Sequence, residues 1–200
     1  MLDNDEDYIY YPLHMQPEMN VTALAGKNGV YSDQLLILET LREKLSPDIK
    51  IIVKENPKQT FKCRDEYFYK RLNAISNLQL ISKQYNSRDL IIGSIGVVTL
   101  SGTAGWEALC LGKPCLTFGN AWYNSLPGVT MYSSNLNLDN WLSQKQTPFA
   151  RVEQHMRDLM QRCGKGVVDQ DYIAIVDDFN PKKNATCVAA SLKKYLAKCP

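Results

Sequence analysis

Three short stretches bring together residue types that could hold a charged substrate or move a proton. In Val97-Val98-Thr99-Leu100-Ser101-Gly102-Thr103-Ala104-Gly105-Trp106-Glu107-Ala108-Leu109, strand formers give way to small residues and then to helix formers. A tight turn opening a helix leaves backbone N–H groups without intrahelical partners. The helix dipole adds partial positive charge there, so an anion such as phosphate fits without a dedicated side chain. Ser101 and Thr103 add hydroxyls, or serve only as the N-cap. Gly102 and Gly105 either open the site or only permit a tight turn and close helix–sheet packing. No Walker-type or dinucleotide fingerprint accompanies them. The second stretch, His14-Met15-Gln16-Pro17-Glu18, sets a histidine, an amide and a carboxylate directly after a strand. The third, Lys54-Glu55-Asn56-Pro57, ends another strand with a lysine, a carboxylate and an amide. Each of these two also reads as a polar loop that merely meets solvent.

The elements that must position these groups alternate. Tyr8 to Leu13 is rich in strand formers and runs into proline-punctuated loop. Ala25 to Gly29 is a flexible connection with turn chemistry. Ser32-Asp33-Gln34 opens a helix with apolar residues at Leu35, Leu36, Leu38, Leu41 and Leu45, and Pro47 marks its end. Ile49 to Val53 is a strand of β-branched character suited to a buried parallel position. A helix over Asp65–Ile75 turns Phe68 and Leu72 inward, and Leu78–Ile81 forms a short strand. Ser87 caps a helix through Ile92 that Gly93 ends. Val97–Leu100 and Leu116–Phe118 are the next strands, and Trp122 and Tyr123 follow at the same edge, over a ring or over the core. Helices follow over Leu136–Ser143 and Val152–Cys163, with Gly164 as the stop. Tyr172–Val176 is either a strand or an apolar helix segment. A last helix, Asn184–Lys198, packs back across the domain. This alternation predicts an α/β fold with a doubly wound parallel sheet, and all three stretches fall at carboxyl ends of its strands, where such sheets bind ligands. The reading is an acidic tail over 1–7 and one Rossmann-like domain over 8–200.

Composition narrows the classes. The chain has 200 residues, 44% hydrophobic and 22% charged, which suits one globular domain with a sizeable core. A net charge of +2 gives no reason to expect nucleic acid as a partner. No apolar run reaches spanning length, and Met1 to Asp7 lacks the basic and apolar parts of a signal peptide, so export is not expected. The six cysteines show no C-x-x-C spacing and read as reduced structural thiols of a cytoplasmic protein, with Cys110 and Cys115 buried. With His14 and His155 as the two histidines and neither in a ligand cluster, no metal site is expected.

Taken in order, Tyr11-Pro12-Leu13-His14-Met15-Gln16-Pro17-Glu18, Asp33-Gln34-Leu35-Leu36, Val53 to Pro57, Thr99 to Leu109, Gly112-Lys113-Pro114, Phe118-Gly119 and Ala121-Trp122-Tyr123 resemble bacterial capsule polysaccharide biosynthesis proteins. Within that family the resemblance is to retaining Kdo transferases and covers roughly residues 8 to 130. It implies a GT-B fold, of which this chain is the C-terminal, nucleotide-sugar half, with a second Rossmann-like domain or chain as its partner. It implies a CMP-linked sugar acid as donor, CMP-Kdo in particular, and a glycan or glycolipid acceptor. By resemblance, Lys54 to Pro57 is a motif that ends in His-Pro elsewhere in the family; Asn56 replaces the histidine and cannot carry a proton. Ser101-Gly102-Thr103 matches a Ser/Thr motif expected at the CMP phosphate. The nucleotide-sugar contacts are then Gln16, Lys54, Glu55, Asn56, Pro57, Ser101, Gly102, Thr103, Ala104 and Glu107.

A helix start with hydroxyls stabilises the charge on a phosphate leaving group without reorganisation, and Lys54 or a backbone nest suits the sugar carboxylate. Retention requires a nucleophile or a same-face mechanism, for which Glu18 is the candidate carboxylate. His14 hydrogen-bonds a phosphate or an acceptor hydroxyl, or acts as acid or base. No cofactor is required. The implied location is cytoplasmic, with room for peripheral association at the inner face of the bacterial membrane. Two hypotheses compete with transfer. One is a non-catalytic nucleotide-sugar-binding or assembly module, which the short length and Asn56 favour. The other is a UDP-sugar epimerase of the same architecture.

Overall fold

A computed structural model describes residues 6–60 and 64–197. Its centre is a six-stranded parallel sheet in the order β3-β2-β1-β4-β5-β6. The strands are β1 (Tyr8–Pro12), β2 (Lys50–Lys54), β3 (Leu78–Ile81), β4 (Gly96–Thr99), β5 (Cys115–Thr117) and β6 (Val129–Met131). The helices are α1 (Gln34–Lys44), α2 (Glu66–Asn73), α3 (Ser87–Gly93), α4 (Thr103–Cys110), α5 (Leu138–Leu142), α6 (Phe149–Arg162), α7 (Gln170–Ile173) and α8 (Pro181–Leu196). Short 3-10 turns cover Met19–Val21 and Lys27–Ser32, the latter where the sequence suggests a flexible connection. The strand order reverses between β1 and β4. That is the topological switch point of a Rossmann-like fold, where the carboxyl ends of the strands leave a crevice.

The central strands β1, β2, β4 and β5 are covered on both faces, so apolar residues run along them rather than alternating, while the edge strands β3 and β6 are partly exposed. Ile9, Tyr11 and Leu13 of β1 and its exit join Ile51, Val53, Val98 and Leu100 in one core cluster. The residues between them, Tyr8, Tyr10, Ile52 and Val97, point to the other face and pack with Leu90, Ile91 and Ala108. Helix α1 buries Leu35, Ile37, Leu38 and Leu41, and leaves Leu36 37% exposed, so the true stripe is shifted from the leucine pattern. Leu45, just past its end, is buried.

Local start and stop signals explain most boundaries. Asp33 accepts from Leu35 N–H and caps α1. Asp65 does the same for α2 through Phe68 N–H. The cap of α3 is Asn86, which accepts from Arg88 N–H, and Ser87 is already helical. Helix α4 ends in a Schellman pair: Lys113 N–H donates to Ala108 O and Gly112 N–H to Leu109 O. Gly112 sits at φ +71°, which a side chain would strain.

Cys115 is buried as expected, but Cys110 is exposed, because it falls on the outer face of α4. Cys63 and Cys199 lie outside the described residues. Trp122 is 50% exposed while Tyr123 is fully buried, so the aromatic pair divides between surface and core. The Tyr172–Val176 segment is not a strand; α7 covers Gln170–Ile173 and a turn follows. The chain divides into two compact units, Met1–His155 with the sheet and Met156–Pro200. In the second, the Asn184 amide brackets Val167, accepting from its N–H and donating to its carbonyl. Helix α8 starts earlier than its periodicity suggests, at Pro181 behind an Asn180 cap, and none of its residues is buried.

Candidate functional site

At the switch point the carboxyl ends of β1, β2 and β4 open into a cleft of about 300 Å³. Its wall carries His14, Glu18, Lys54, Glu55, Asn56, Pro57, Gly102, Thr103, Ala104 and Glu107 from the sequence-derived set. Gln16 and Ser101 are not on that wall. The Gln16 amide donates to Ser32 O and accepts from Arg64, and Ser101 Oγ donates to Asn20 Oδ1 at 2.9 Å. The wall also holds Asn20, Ser87 and Tyr10, which the sequence did not single out.

The start of α4 is the electropositive corner. Its N-cap residue is Gly102, and no side chain caps the helix, so neither Ser101 nor Thr103 serves that role. Gly102 N–H is taken by Thr99 Oγ1 at 3.2 Å. Gly105 N–H folds back to Gly102 O. Between them the N–H groups of Thr103 and Ala104 have no acceptor among the described residues, and both residues line the cleft. Tyr123 Oη donates to Gly102 O and anchors the turn from below. The two glycines have separate jobs. A side chain on Gly105 would collide with the Tyr123 hydroxyl and Cys115, so that glycine serves helix–sheet packing. A Cβ on Gly102 would stand 2.6 Å from His14 Cε1, so that one lets the imidazole approach the turn.

His14 is 6% exposed and held from both ends. Gln34 clasps its backbone, accepting from His14 N–H at 2.7 Å and donating to His14 O at 3.1 Å. Leu100 N–H donates to Nε2 at 3.2 Å, and the Thr99 hydroxyl is 3.0 Å from the same nitrogen. An atom that accepts a backbone N–H carries no proton, so the ring hydrogen sits on Nδ1. Nδ1 has no acceptor among the described residues, and His14 lines the cleft. Burial, reinforced by the Arg64 charge, pushes the His14 pKa down to about 4. The ring is neutral at physiological pH, and it offers one donor.

Lys54, at the end of β2, donates to Tyr85 O at 2.8 Å and Ser87 Oγ at 2.6 Å. An ammonium has three donors, so one remains for the cleft. Burial lowers its pKa, opposed by the nearby Glu107 carboxylate. Glu18 accepts from Asn20 Nδ2 at 3.1 Å. Asn56 Oδ1 accepts from Lys58 N–H at 2.9 Å and shapes its own loop.

Behind this wall lies a residue that the sequence gave no reason to select. The Arg64 side chain is 1% exposed and meets Glu55 at 3.0 Å. It also donates to His14 O at 2.8 Å and to Gln16 Oε1, and its guanidinium lies 4.4 Å from the Phe68 ring centre. Gln59 completes the network by bracketing the backbone of Gln16. Among the described residues no group of three His, Cys, Asp or Glu side chains could hold a metal ion. No helix among them is long and apolar enough to cross a membrane.

The architecture has solved counterparts. The beta Kdo 2,7 transferase KpsC of Thermosulfurimonas dismutans is similar with a TM-score of 0.53 and 19% identity, over 74% of this chain and 43% of that one. The UDP-GlcNAc 2-epimerase of Methanocaldococcus jannaschii is similar to almost the same degree, with a TM-score of 0.52 and 18% identity over 80% of this chain and 47% of that one. The chain therefore spans less than half the length of either, and at these identities the likeness establishes the fold alone. No curated protein matches the chain. The family model for capsule polysaccharide biosynthesis proteins matches residues 1–163. That match takes in the entire sheet and every wall of the cleft, and the chain belongs to the capsule polysaccharide biosynthesis protein family.

Proposed function

We propose that the chain is the nucleotide-sugar half of a capsule polysaccharide glycosyltransferase, and that its cleft binds a CMP-activated sugar acid such as CMP-Kdo. The observation that carries this reading is the open start of α4, where Thr103 and Ala104, with N–H groups that find no acceptor among the described residues, line the cleft together with His14. Three donors without protein partners at one end of the cleft suit a phosphate, and they suit it more as charge develops on departure of the CMP leaving group. The free donor of Lys54 is a second cationic point, suited to the carboxylate of a sugar acid. His14 then acts as a neutral donor rather than as an acid or base, since burial holds it uncharged. Glu18 is the carboxylate for covalent capture of the sugar if the nucleophile resides in this half.

A glycan or glycolipid acceptor and a second Rossmann-like domain or chain complete the reading. A glycolipid acceptor would bring the protein to the inner face of the membrane. The equal likeness to a UDP-sugar epimerase keeps a second reading in view, in which the cleft takes a UDP-sugar. A non-catalytic binding module is the third, since Asn56 is committed to its own turn.

Calorimetric titration with CMP, CMP-Kdo and UDP separates these readings, and Thr103→Pro sharpens it. Proline is tolerated at the first helical position, and Gly102 already has the φ −77°, ψ 163° that suits a residue before proline. The substitution therefore deletes one cleft donor without breaking the helix. The expected result is binding of CMP in preference to UDP, with affinity falling at least roughly tenfold in Thr103→Pro, as for loss of a hydrogen bond to a charged group. Preference for UDP, or unchanged CMP affinity in the variant, overturns the assignment. Sugar transfer assayed with and without the second domain then distinguishes an enzyme half from a binding module.

A further inference from the structure

The start of α4 has a second flank. Trp106, half-buried in the first turn of the helix, packs against Trp122 from the loop after β5, with ring centres 5.3 Å apart and planes inclined by 49°. Trp122 is 50% exposed. A half-exposed indole packed against a second, half-buried one at the ligand edge of an α/β sheet calls for an explanation, because apolar surface left open there marks a place where something binds.

The loop that carries Trp122 is firmly built. Gly119 N–H donates to Leu100 O at 2.7 Å, and the Asn124 amide accepts from Thr117 Oγ1 and donates to Gly119 O. Tyr123 stands perpendicular to Trp122, with ring centres 5.3 Å apart, and its hydroxyl holds Gly102 O. The indole pair is thus tied to the same turn that presents the cleft amides. Thr103 belongs to both regions: it lines the cleft, and Trp106 lies one helical turn further on.

We propose that Trp106 and Trp122 form a stacking platform for a pyranose ring of the acceptor glycan. The proposal rests on the donor assignment above, because a cleft of about 300 Å³ is at the lower limit for a small-molecule site. With the donor assigned to that cleft, an acceptor lies outside it on the same rim. The chemistry of the platform favours a sugar. The negative face of an aromatic ring attracts the polarised C–H groups of a pyranose. Exposed Asn120, two residues before Trp122, and the exposed Thr103 hydroxyl, one turn before Trp106, supply polar partners for hydroxyl groups.

The chain contains three tryptophans, and Trp141 is fully buried, which makes it an internal reference. Fluorine NMR of the 5-fluorotryptophan-labelled chain, with resonances assigned by Trp106→Phe and Trp122→Phe, reads each indole separately. The probes are methyl β-D-galactopyranoside and the methyl pyranoside of Kdo, each with and without saturating CMP. The expected result is a glycoside-dependent shift of the Trp106 and Trp122 resonances that persists with CMP bound, while Trp141 stays in place. Trp122→Ala is expected to weaken glycoside binding roughly tenfold, as for loss of one stacked aromatic face, with CMP affinity unchanged. If CMP binds and neither glycoside moves these resonances, the platform assignment is overturned and the donor assignment stands. If CMP itself moves Trp122 and competes with the glycosides, the platform is part of the nucleotide site and the proposal fails. Resonances that move only with protein concentration, alongside a sedimentation change lost in Trp122→Ala, identify a second copy of the chain as the occupant and also overturn it. Glycoside shifts without CMP binding support the platform and remove the donor reading.

Discussion

Two sides of one cleft handle polar groups in opposite ways. Around the start of α4 the donors are left open: Thr103 and Ala104 N–H and the His14 Nδ1–H have no acceptor among the described residues. On the side of the β2 loop the groups are closed on each other. Glu55 meets Arg64, Arg64 meets Gln16 and His14 O, Gln59 brackets Gln16, and Gln34 brackets His14. Open donors bind ligands because the fold has already met the cost of aiming them. Closed networks bind nothing but keep the open ones aimed, since a buried polar group that is fully partnered stiffens its surroundings. A cleft lined by charged residues on every side is therefore not uniformly a binding surface.

The largest effect is expected on the closed side. Arg64→Met leaves the Glu55 carboxylate and the His14 carbonyl without their partner, and breaking such a pair destabilises by about 3–5 kcal/mol. Urea unfolding of the variant measures this, and adding Glu55→Gln should restore part of it. A variant as stable as the wild type would mean that the network does not hold the wall.

His14 links the two sides. In the folded protein its pKa lies near 4, against 6.5 for an unperturbed histidine. Between those values the unfolded chain takes up a proton that the folded chain refuses, so stability falls as pH drops through this window. The expected loss from pH 7 to pH 4 is about 3 kcal/mol from this residue. His14→Gln should remove that share of the acid sensitivity, measured by unfolding at the two pH values.

On the open side the expected effects are on binding more than on folding. Thr103→Pro should lower CMP affinity at least roughly tenfold while shifting stability little. Tyr123→Phe gives the smallest change. Without its hydroxyl donor the Gly102 carbonyl loses a partner, at about 1 kcal/mol of stability. A few-fold loss of CMP affinity should accompany it as the turn relaxes, and calorimetry tests that.

Much of the architecture was legible from the chain because it rests on local physics. The β-branched and aromatic runs at Tyr8 to Leu13 and Ile49 to Val53 predict strands in a sheet covered on both faces, and both runs are buried. Asp33 and Asp65 open helices, and Gly112 ends one, for reasons contained within a few residues. The small residues ahead of Trp106 left open whether Ser101 or Thr103 caps the helix, and the start of α4 carries no side-chain cap. Failures arose where neighbours compete. Ser87 lost the cap to Asn86, whose amide oxygen accepts from Arg88 N–H. Leu36 fell outside the stripe because Ile37 took the inward place.

Local composition therefore determined where strands and helices lie and how the central strands are covered, since each depends on contacts between residues close in the chain. Tertiary structure alone decided which polar side chains remain available. Ser101 is spent on Asn20 across 81 residues, and Gln16 on Arg64 across 48. Arg64 reaches the His14 carbonyl across 50. Hydrogen bonds at such separations follow from how the strands assemble, and a hydroxyl or amide looks the same in sequence whether its partner is a ligand or a distant part of its own chain.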